Sequence, residues 1–120
     1  MPKSGVFVEN QPERGYLSEK QYRVKVRETR ALVGALIRRF RNLRKLRQRH
    51  VARLMGVNQN TPGRYERGDD WADLVRLHQL SKALEIPLLA LIPDELLSPD
   101  EQHVVRLLRG AIRNGEKLRK

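Results

Sequence analysis

Apolar positions recur along residues 22–43 at alternating spacings of four and three residues, which is typical of a long amphipathic helix. The stripe consists of Tyr22, Val26, Thr29, Val33, Leu36, Phe40 and Leu43. Ser18 followed by Gln21 predicts a capping box at the start of this helix. Residues 22–27 also alternate between apolar and basic side chains, as in a strand. The longer stripe favours a helix, but the sequence leaves both helix and strand as alternatives for residues 20–28.

A second helix is predicted over Arg47–Met55, with Val51, Ala52 and Met55 on its inner side. Gly56 should end it, because glycine tolerates the left-handed conformation that a helix terminus often needs. Downstream, Asp73 is predicted to cap a further helix. Its apolar side carries Leu74, Leu77, Leu80, Ala83 and Leu84.

Two more helical segments follow. Pro87 is predicted to open a short helix over Leu88–Ile92. Ser98-Pro99-Asp100-Glu101 combines a cap, a proline at the first position and a glutamate at the third, a strong signal for a last helix. The apolar positions of that helix are Val104, Val105, Leu107, Leu108 and Ile112. The pattern as a whole predicts an all-α fold.

Charge is strongly segregated in this 120-residue chain, whose formal net charge is +11. No Asp or Glu lies between Glu28 and Glu66, whereas this interval holds ten cations. From Glu66 to Glu101 the balance reverses to nine acids against three cations. The cations of the acid-free interval are Arg30, Arg38, Arg39, Arg41, Arg44, Lys45, Arg47, Arg49, Arg53 and Arg64. Such a surface indicates a polyanionic partner.

Several function classes are disfavoured by composition. The chain has no cysteine, and His50, His78 and His103 share no metal-ligand spacing. Neither a nucleophile–base pair, nor a carboxylate pair, nor a phosphate-cradling glycine loop is evident, so we expect no enzyme, no cofactor and no metal. No run of about 18 apolar residues and no signal-peptide pattern occurs, which predicts a soluble, cytoplasmic protein without membrane contact.

Residues Leu46–Gly68 resemble the lambda-repressor-like (Xre-type) helix-turn-helix family. The matching positions are Leu46, Gln48, Val51, Ala52, Gly56, Val57, Asn58, Glu66 and Gly68. The register extends without gaps over about residues 36–92. The resemblance implies a five-helix domain that binds double-stranded DNA. We therefore expect an N-terminal arm and helix extension (1–28), a helix-turn-helix domain (29–95) and an extra C-terminal helix (96–120).

The resemblance also implies roles for individual side chains. Gln59, Asn60 and Arg64 fall on positions that reach base edges in the major groove. The amides of Gln59 and Asn60 suit adenine, and the guanidinium of Arg64 suits guanine. Gln48 falls on a glutamine that binds phosphate and braces the recognition helix, and Asn58 on a capping, phosphate-contacting position. The remaining phosphate candidates are Arg38, Arg39, Arg41, Arg44, Lys45, Arg47, Arg49, Arg53 and Thr61. Arg41 and Glu66 match a family ion pair that ties the first helix to the end of the recognition helix.

Two positions depart from the family pattern. Pro62 and Gly63 stand where the family has a β-branched or leucine core residue and a good helix former. Because proline lacks an N–H and disfavours helical geometry in the residue before it, the recognition helix is predicted to start with Thr61 as cap and Pro62 as first residue. Gln59 and Asn60 would then lie on a loop. Arg47 replaces the usual Ser or Thr cap, a loss of about 1 kcal/mol.

The domain core is predicted to include Val57 and Tyr65 with the leucines from Leu74 to Leu84, and Trp71 is predicted to pack against the helix that follows it. One helix-turn-helix reads few base pairs, so a homodimer is expected. Residues 96–120, the N-terminal extension, or both would build its interface, unless they complete the monomer core.

The leading functional hypothesis is a sequence-specific transcriptional regulator, most simply a repressor. One alternative is an antitoxin that binds its own operator and, through residues 1–17, a toxin partner. Another is a protein-interaction module that has lost DNA binding, against which the acid-free cationic interval argues.

Overall fold

A computed structural model of the protein describes residues 17–115, and within that range it contains helices and turns but no strand. The α-helices are α1 (Glu19–Leu43), α2 (Gln48–Met55), α3 (Thr61–Glu66), α4 (Leu74–Leu84) and α5 (Pro99–Arg113). Two short 3₁₀ helices, Leu88–Leu91 and Asp94–Leu96, separate α4 from α5. The all-α prediction is confirmed. None of these helices is long and apolar enough to cross a membrane. The predicted arm interaction through residues 1–17 lies almost entirely outside the described residues.

Helix α1 begins where its cap predicts. The Ser18 hydroxyl accepts from the Gln21 backbone N–H at 3.1 Å, and the Gln21 side chain accepts from the Ser18 N–H at 2.9 Å. Residues 20–28 are helical, so the helical interpretation is confirmed over the strand. The capping box starts the helix. Along the apolar stripe, Tyr22 near the start of the helix is exposed, whereas Thr29 and Val33 are buried.

One hydrophobic core lies beneath the middle of α1. Its fully buried side chains include Ile37, Phe40, Val51, Leu80, Leu84, Leu91 and Ile112. Val57 packs against this core, and Tyr65 lies within it. Burial raises the pKa of the Tyr65 hydroxyl above its ordinary value of 10.0.

The core prediction for Leu74 is wrong, because its side chain is 67% exposed. Helix α4 carries no buried residue in its first turn, and burial starts only at Leu77. The Asp73 carboxylate still caps this helix by accepting from the Arg76 backbone N–H at 2.9 Å. Trp71, just before the cap, is 46% exposed, and its packing against α4 stays a prediction.

Helix α5 is anchored by a buried arginine that sequence reasoning missed. The Arg109 guanidinium donates to the carbonyls of Ala90 at 3.1 Å and Ile92 at 2.7 Å, and to the Asp94 carboxylate at 2.6 Å. Val105 on the same helix is also fully buried. The inner face of α5 therefore completes the monomer core, which is one of the two roles considered for it.

Candidate nucleic-acid interface

The connection between α2 and α3 is a tight polar turn. Gly56 ends α2 in the left-handed conformation at φ 71°, as predicted. The Asn58 carboxamide oxygen then accepts from the Asn60 backbone N–H at 2.8 Å, and the Asn58 carbonyl accepts from the Thr61 N–H at 3.0 Å. These bonds hold Gln59 and Asn60 on an exposed turn in front of α3. Their predicted loop position is confirmed.

Helix α3 starts one residue earlier than predicted. Thr61 is its first helical residue, Asn60 occupies the cap position, and Pro62 is second rather than first. Asn60 already has helical backbone angles, φ −86° and ψ −11°, so the preceding turn leads directly into the helix. Proline is tolerated throughout this first turn because its missing N–H would have no intrahelical partner there.

Pro62 and Gly63 have packing roles that explain their departure from the family pattern. Pro62 is fully buried and takes the place of the usual aliphatic core residue. A Cβ on Gly63 would lie only 3.1 Å from the Gln48 Oε1 and 3.3 Å from the Arg67 Nη1. The absence of a side chain at Gly63 therefore lets Gln48 lie directly across α3.

A buried ion pair fastens α3 to α1. Arg41 Nε and Nη2 donate to the two carboxylate oxygens of Glu66 at 2.6 and 3.0 Å, while its Nη1 donates to the Leu46 carbonyl at 2.8 Å. The Gln48 amide donates to the same carboxylate at 3.1 Å. The side chains of Arg41 and Glu66 are only 13% and 3% exposed. All three guanidinium nitrogens of Arg41 are thus engaged inside the protein, which favours its bracing role over its predicted phosphate contact.

Helix α1 also passes unusually close to the end of α3. A Cβ on Gly34 would lie 2.3 Å from the Tyr65 carbonyl oxygen and 2.6 Å from that of Glu66. Gly68, whose φ is 75°, turns the chain after α3, and a Cβ there would meet Ala31 of α1. Sequence reasoning missed the role of Gly34, although an isolated glycine within a helical stripe is a signal for such an approach.

Two exposed arginines, one on α3 and one directly after it, are each paired with an acid in the turn that follows. Arg64 lies 3.2 Å from the Asp70 carboxylate, and Arg67 lies 2.8 Å from that of Asp69. The predicted base-reading position of Arg64 is accessible, since its side chain is 53% exposed. The pairing with Asp70 was not anticipated from the sequence.

The predicted phosphate-contacting cations divide into two groups. Arg38, Arg47, Arg49 and Arg53 are exposed, as are the Asn58 and Lys45 side chains. Arg44 is different, because its Nε and Nη2 donate to the carbonyls of Leu84 and Glu85 at 2.8 and 2.9 Å. It satisfies the C-terminus of α4 and so has a structural role. Arg39 has its guanidinium carbon 5.4 Å from the centroid of the Phe40 ring.

Comparison with known proteins identifies the domain. A family model described as helix-turn-helix matches residues 37–91, which run from the second half of α1 through α4 to the first 3₁₀ helix. Searches of curated proteins and of solved structures returned no significant match. Over residues 37–91 the chain is therefore a helix-turn-helix domain of the lambda-repressor-like (Xre-type) family, a family of DNA-binding transcriptional regulators.

Proposed function

We propose that the protein is a sequence-specific regulator of transcription, most simply a repressor, that binds double-stranded DNA as a dimer and reads the major groove. The observation that carries this proposal is the construction of the turn and α3. Gln59, Asn60 and Arg64 are exposed, while the buried ion pair of Glu66 with Arg41 fastens α3 to α1. Base readout needs this combination, because side chains must reach the groove from a backbone that does not shift.

The readout chemistry follows from the three exposed side chains. The amides of Gln59 and Asn60 each supply a donor and an acceptor, which match adenine N7 and N6 in a bidentate arrangement. The guanidinium of Arg64 matches guanine O6 and N7. Because Gln59 and Asn60 lie on the turn rather than on the helix, we expect the entry into α3 to approach the base edges first.

Phosphate contacts would come from the exposed cations and polar groups around this element. Arg38, Arg47 and Arg49 belong to the acid-free interval, so no acid in that interval competes with DNA for them. Asn58 and Thr61 add polar side chains at the start of α3, although the Asn58 carboxamide oxygen is already used in the turn. Gln48 is less available, since its amide donates to Glu66. The cations supply sequence-independent affinity, and the base-contacting residues Gln59, Asn60 and Arg64 supply selectivity.

Two alanine variants separate these roles. Arg49→Ala should weaken binding to every duplex and lower the slope of log K against log salt by about one, because one phosphate contact is lost. Arg64→Ala should mainly weaken binding to the preferred site, by about tenfold or more, since a good guanine contact contributes about 1–3 kcal/mol. Fluorescence anisotropy over a salt series measures the affinity and the salt slope of each variant. It is recorded on random duplex and on a duplex that the protein prefers in selection from random DNA. Equal losses on the two duplexes for both variants would contradict these assignments.

The proposed dimer uses the outer face of α5. Its inner face is buried in the monomer, but Val104 and Leu107 are 47% and 64% exposed. A helix that keeps large apolar side chains on its solvent side has surface suited to a partner. A dimer would carry two copies of α3, one for each of two half-sites on the duplex.

Charge substitution on this face tests the dimer. Leu107→Lys should shift the protein from dimer to monomer in sedimentation at micromolar concentration, with little change in the melting temperature of the monomer fold, because the side chain is outside the core. Leu74→Lys is the matched control, as Leu74 is 67% exposed on α4. A dimer that survives Leu107→Lys but not Leu74→Lys would place the interface on α4 instead.

A further inference from the structure

An acidic turn follows directly after the proposed reading helix. Helix α3 ends at Glu66, and Asp69 and Asp70 come within the next four residues. Such placement is unexpected beside a DNA-facing element, because carboxylates repel phosphates. We infer that Asp70 is a specificity-determining residue that positions Arg64 for a base contact and restrains it from binding phosphate. This inference rests on the proposed DNA-binding function and assigns a residue to it beyond the readers themselves.

The Asp70 carboxylate is held in a defined orientation. Its Oδ1 accepts from the Trp71 backbone N–H at 2.9 Å, and its Oδ2 lies 3.2 Å from the Arg64 Nη2. The backbone of this segment is itself fixed, since the Asp69 N–H donates to the Arg64 carbonyl at 2.9 Å. One oxygen thus anchors the carboxylate while the other faces Arg64. The hydrogen bond from the Trp71 N–H therefore orients the carboxylate toward Arg64.

The pair is also accessible to a duplex. The side chains of Arg64 and Asp70 are 53% and 42% exposed, so DNA can approach both. An arginine has five N–H donors, and a single contact through Nη2 leaves donors free for a guanine edge. The carboxylate therefore limits the directions in which the guanidinium points without exhausting its hydrogen-bonding capacity.

Base and phosphate contacts respond differently to this carboxylate. Attraction of Arg64 to phosphate depends on its charge, which Asp70 offsets, and Asp70 itself repels the phosphate backbone. A guanine contact depends mainly on the geometry of two parallel hydrogen bonds, which a guanidinium oriented by Asp70 favours. Asp70 should therefore lower affinity for random DNA more than affinity for the preferred site. In a protein of net charge +11, the negative charge of Asp70 beside Arg64 thus limits nonspecific binding to DNA.

Asp69 provides an internal comparison. It pairs with Arg67 at 2.8 Å, and both side chains are more than half exposed. Arg67 is not among the residues assigned to base readout. If only the local charge mattered, neutralising Asp69 and neutralising Asp70 would have the same consequences for DNA binding. If Asp70 positions a base reader, only its neutralisation should change which base pairs are preferred.

The test compares Asp70→Asn, Asp69→Asn and Asp100→Asn in the full chain. Each variant removes one negative charge, and Asp100 lies in the first turn of α5, away from α3 in the sequence. Selection from random duplex gives the base preferences, and anisotropy on a random duplex gives the nonspecific affinity. We expect Asp70→Asn to bind random duplex about three- to tenfold more tightly with a salt slope steeper by about one. It should also lose preference at one base pair of the selected site.

The controls define the remaining outcomes. Asp69→Asn should raise nonspecific affinity while selecting the same site, and Asp100→Asn should change neither. In an Arg64→Ala background, Asp70→Asn should no longer affect base preference, because the residue acts through Arg64. The asparagine can still accept from the Trp71 N–H, and equal melting temperatures would show that the turn is retained.

Failure of this inference is distinguishable from failure of the proposed function. If the wild-type protein selects a site and Asp70→Asn selects the same site, the role of Asp70 is wrong and the proposed function stands, whether or not the nonspecific affinity of Asp70→Asn rises as that of Asp69→Asn does. If the wild-type protein selects no site at all, sequence-specific binding is wrong, and the role of Asp70 falls with it.

Discussion

Glu66→Ala should lower the free energy of unfolding by about 3–5 kcal/mol, the usual consequence of removing one partner from a buried ion pair. The Glu66 side chain is 3% exposed, and its carboxylate accepts from Arg41 and from the Gln48 amide. Its removal would leave a largely buried guanidinium with only the Leu46 carbonyl as an acceptor. Since Glu66 is also the last residue of α3, its loss should loosen the attachment of α3 to α1.

Urea unfolding followed by circular dichroism measures the loss. Asp69→Ala is the matched control, because it removes the carboxylate of an exposed arginine pair, and such pairs contribute about 0–1 kcal/mol. Glu66→Gln should be intermediate, since an amide retains one acceptor and the packing volume. A loss below about 1 kcal/mol for Glu66→Ala would show that the pair does not fasten α3, because that value is typical of surface pairs.

Gly34→Ala should be strongly destabilising even though alanine is the better helix former. The added methyl would meet the backbone carbonyl oxygens of Tyr65 and Glu66 at 2.3 and 2.6 Å, and backbone cannot rotate away as a side chain can. Overpacking of this kind costs about 1–3 kcal/mol, or more where backbone must move. Because those carbonyls belong to α3, we also expect weaker DNA binding than the loss of stability alone explains.

Gly110→Ala is the control for helix propensity. Gly110 lies within α5, and a Cβ there would meet only the Arg113 Nη2, at 3.9 Å. This substitution should raise stability by up to about 1 kcal/mol, the ordinary advantage of alanine over glycine within a helix. Thermal and urea unfolding should therefore show a loss of stability for Gly34→Ala and a gain for Gly110→Ala. Equal stabilisation by both would mean that α1 and α3 do not approach each other closely at Gly34.

Features that depend on residues near one another in sequence were predictable. The caps at Ser18, Asp73 and Ser98 satisfy backbone N–H groups within the next three residues, so sequence alone locates the helix starts. Gly56 ends α2 for an equally local reason. The gapless register of the family pattern predicted the helix order, and Pro62 predicted that Gln59 and Asn60 lie outside α3.

Features that depend on distant segments were not predictable in the same way. Arg44 was grouped with the phosphate-contacting cations, but its partners are carbonyls about forty residues further along. Arg109 is buried because the segment from Ala90 to Asp94 presents acceptors to it. Leu74 follows the apolar spacing of α4, yet no other element within residues 17–115 covers the first turn of that helix. A periodic pattern identifies a face, whereas burial depends on what packs against it.

The most direct test of the account is selection of binding sites by the full-length protein from random duplex DNA, at about 150 mM salt, where nonspecific attraction is screened. We predict enrichment of a palindromic motif whose half-sites are centred about 10 base pairs apart, or a multiple of that spacing, as expected for a dimer with one α3 in each major groove. Enrichment should disappear at one position of each half-site in Arg64→Ala. Recovery of random sequence by the wild-type protein, with a folded circular dichroism spectrum, would contradict sequence-specific regulation.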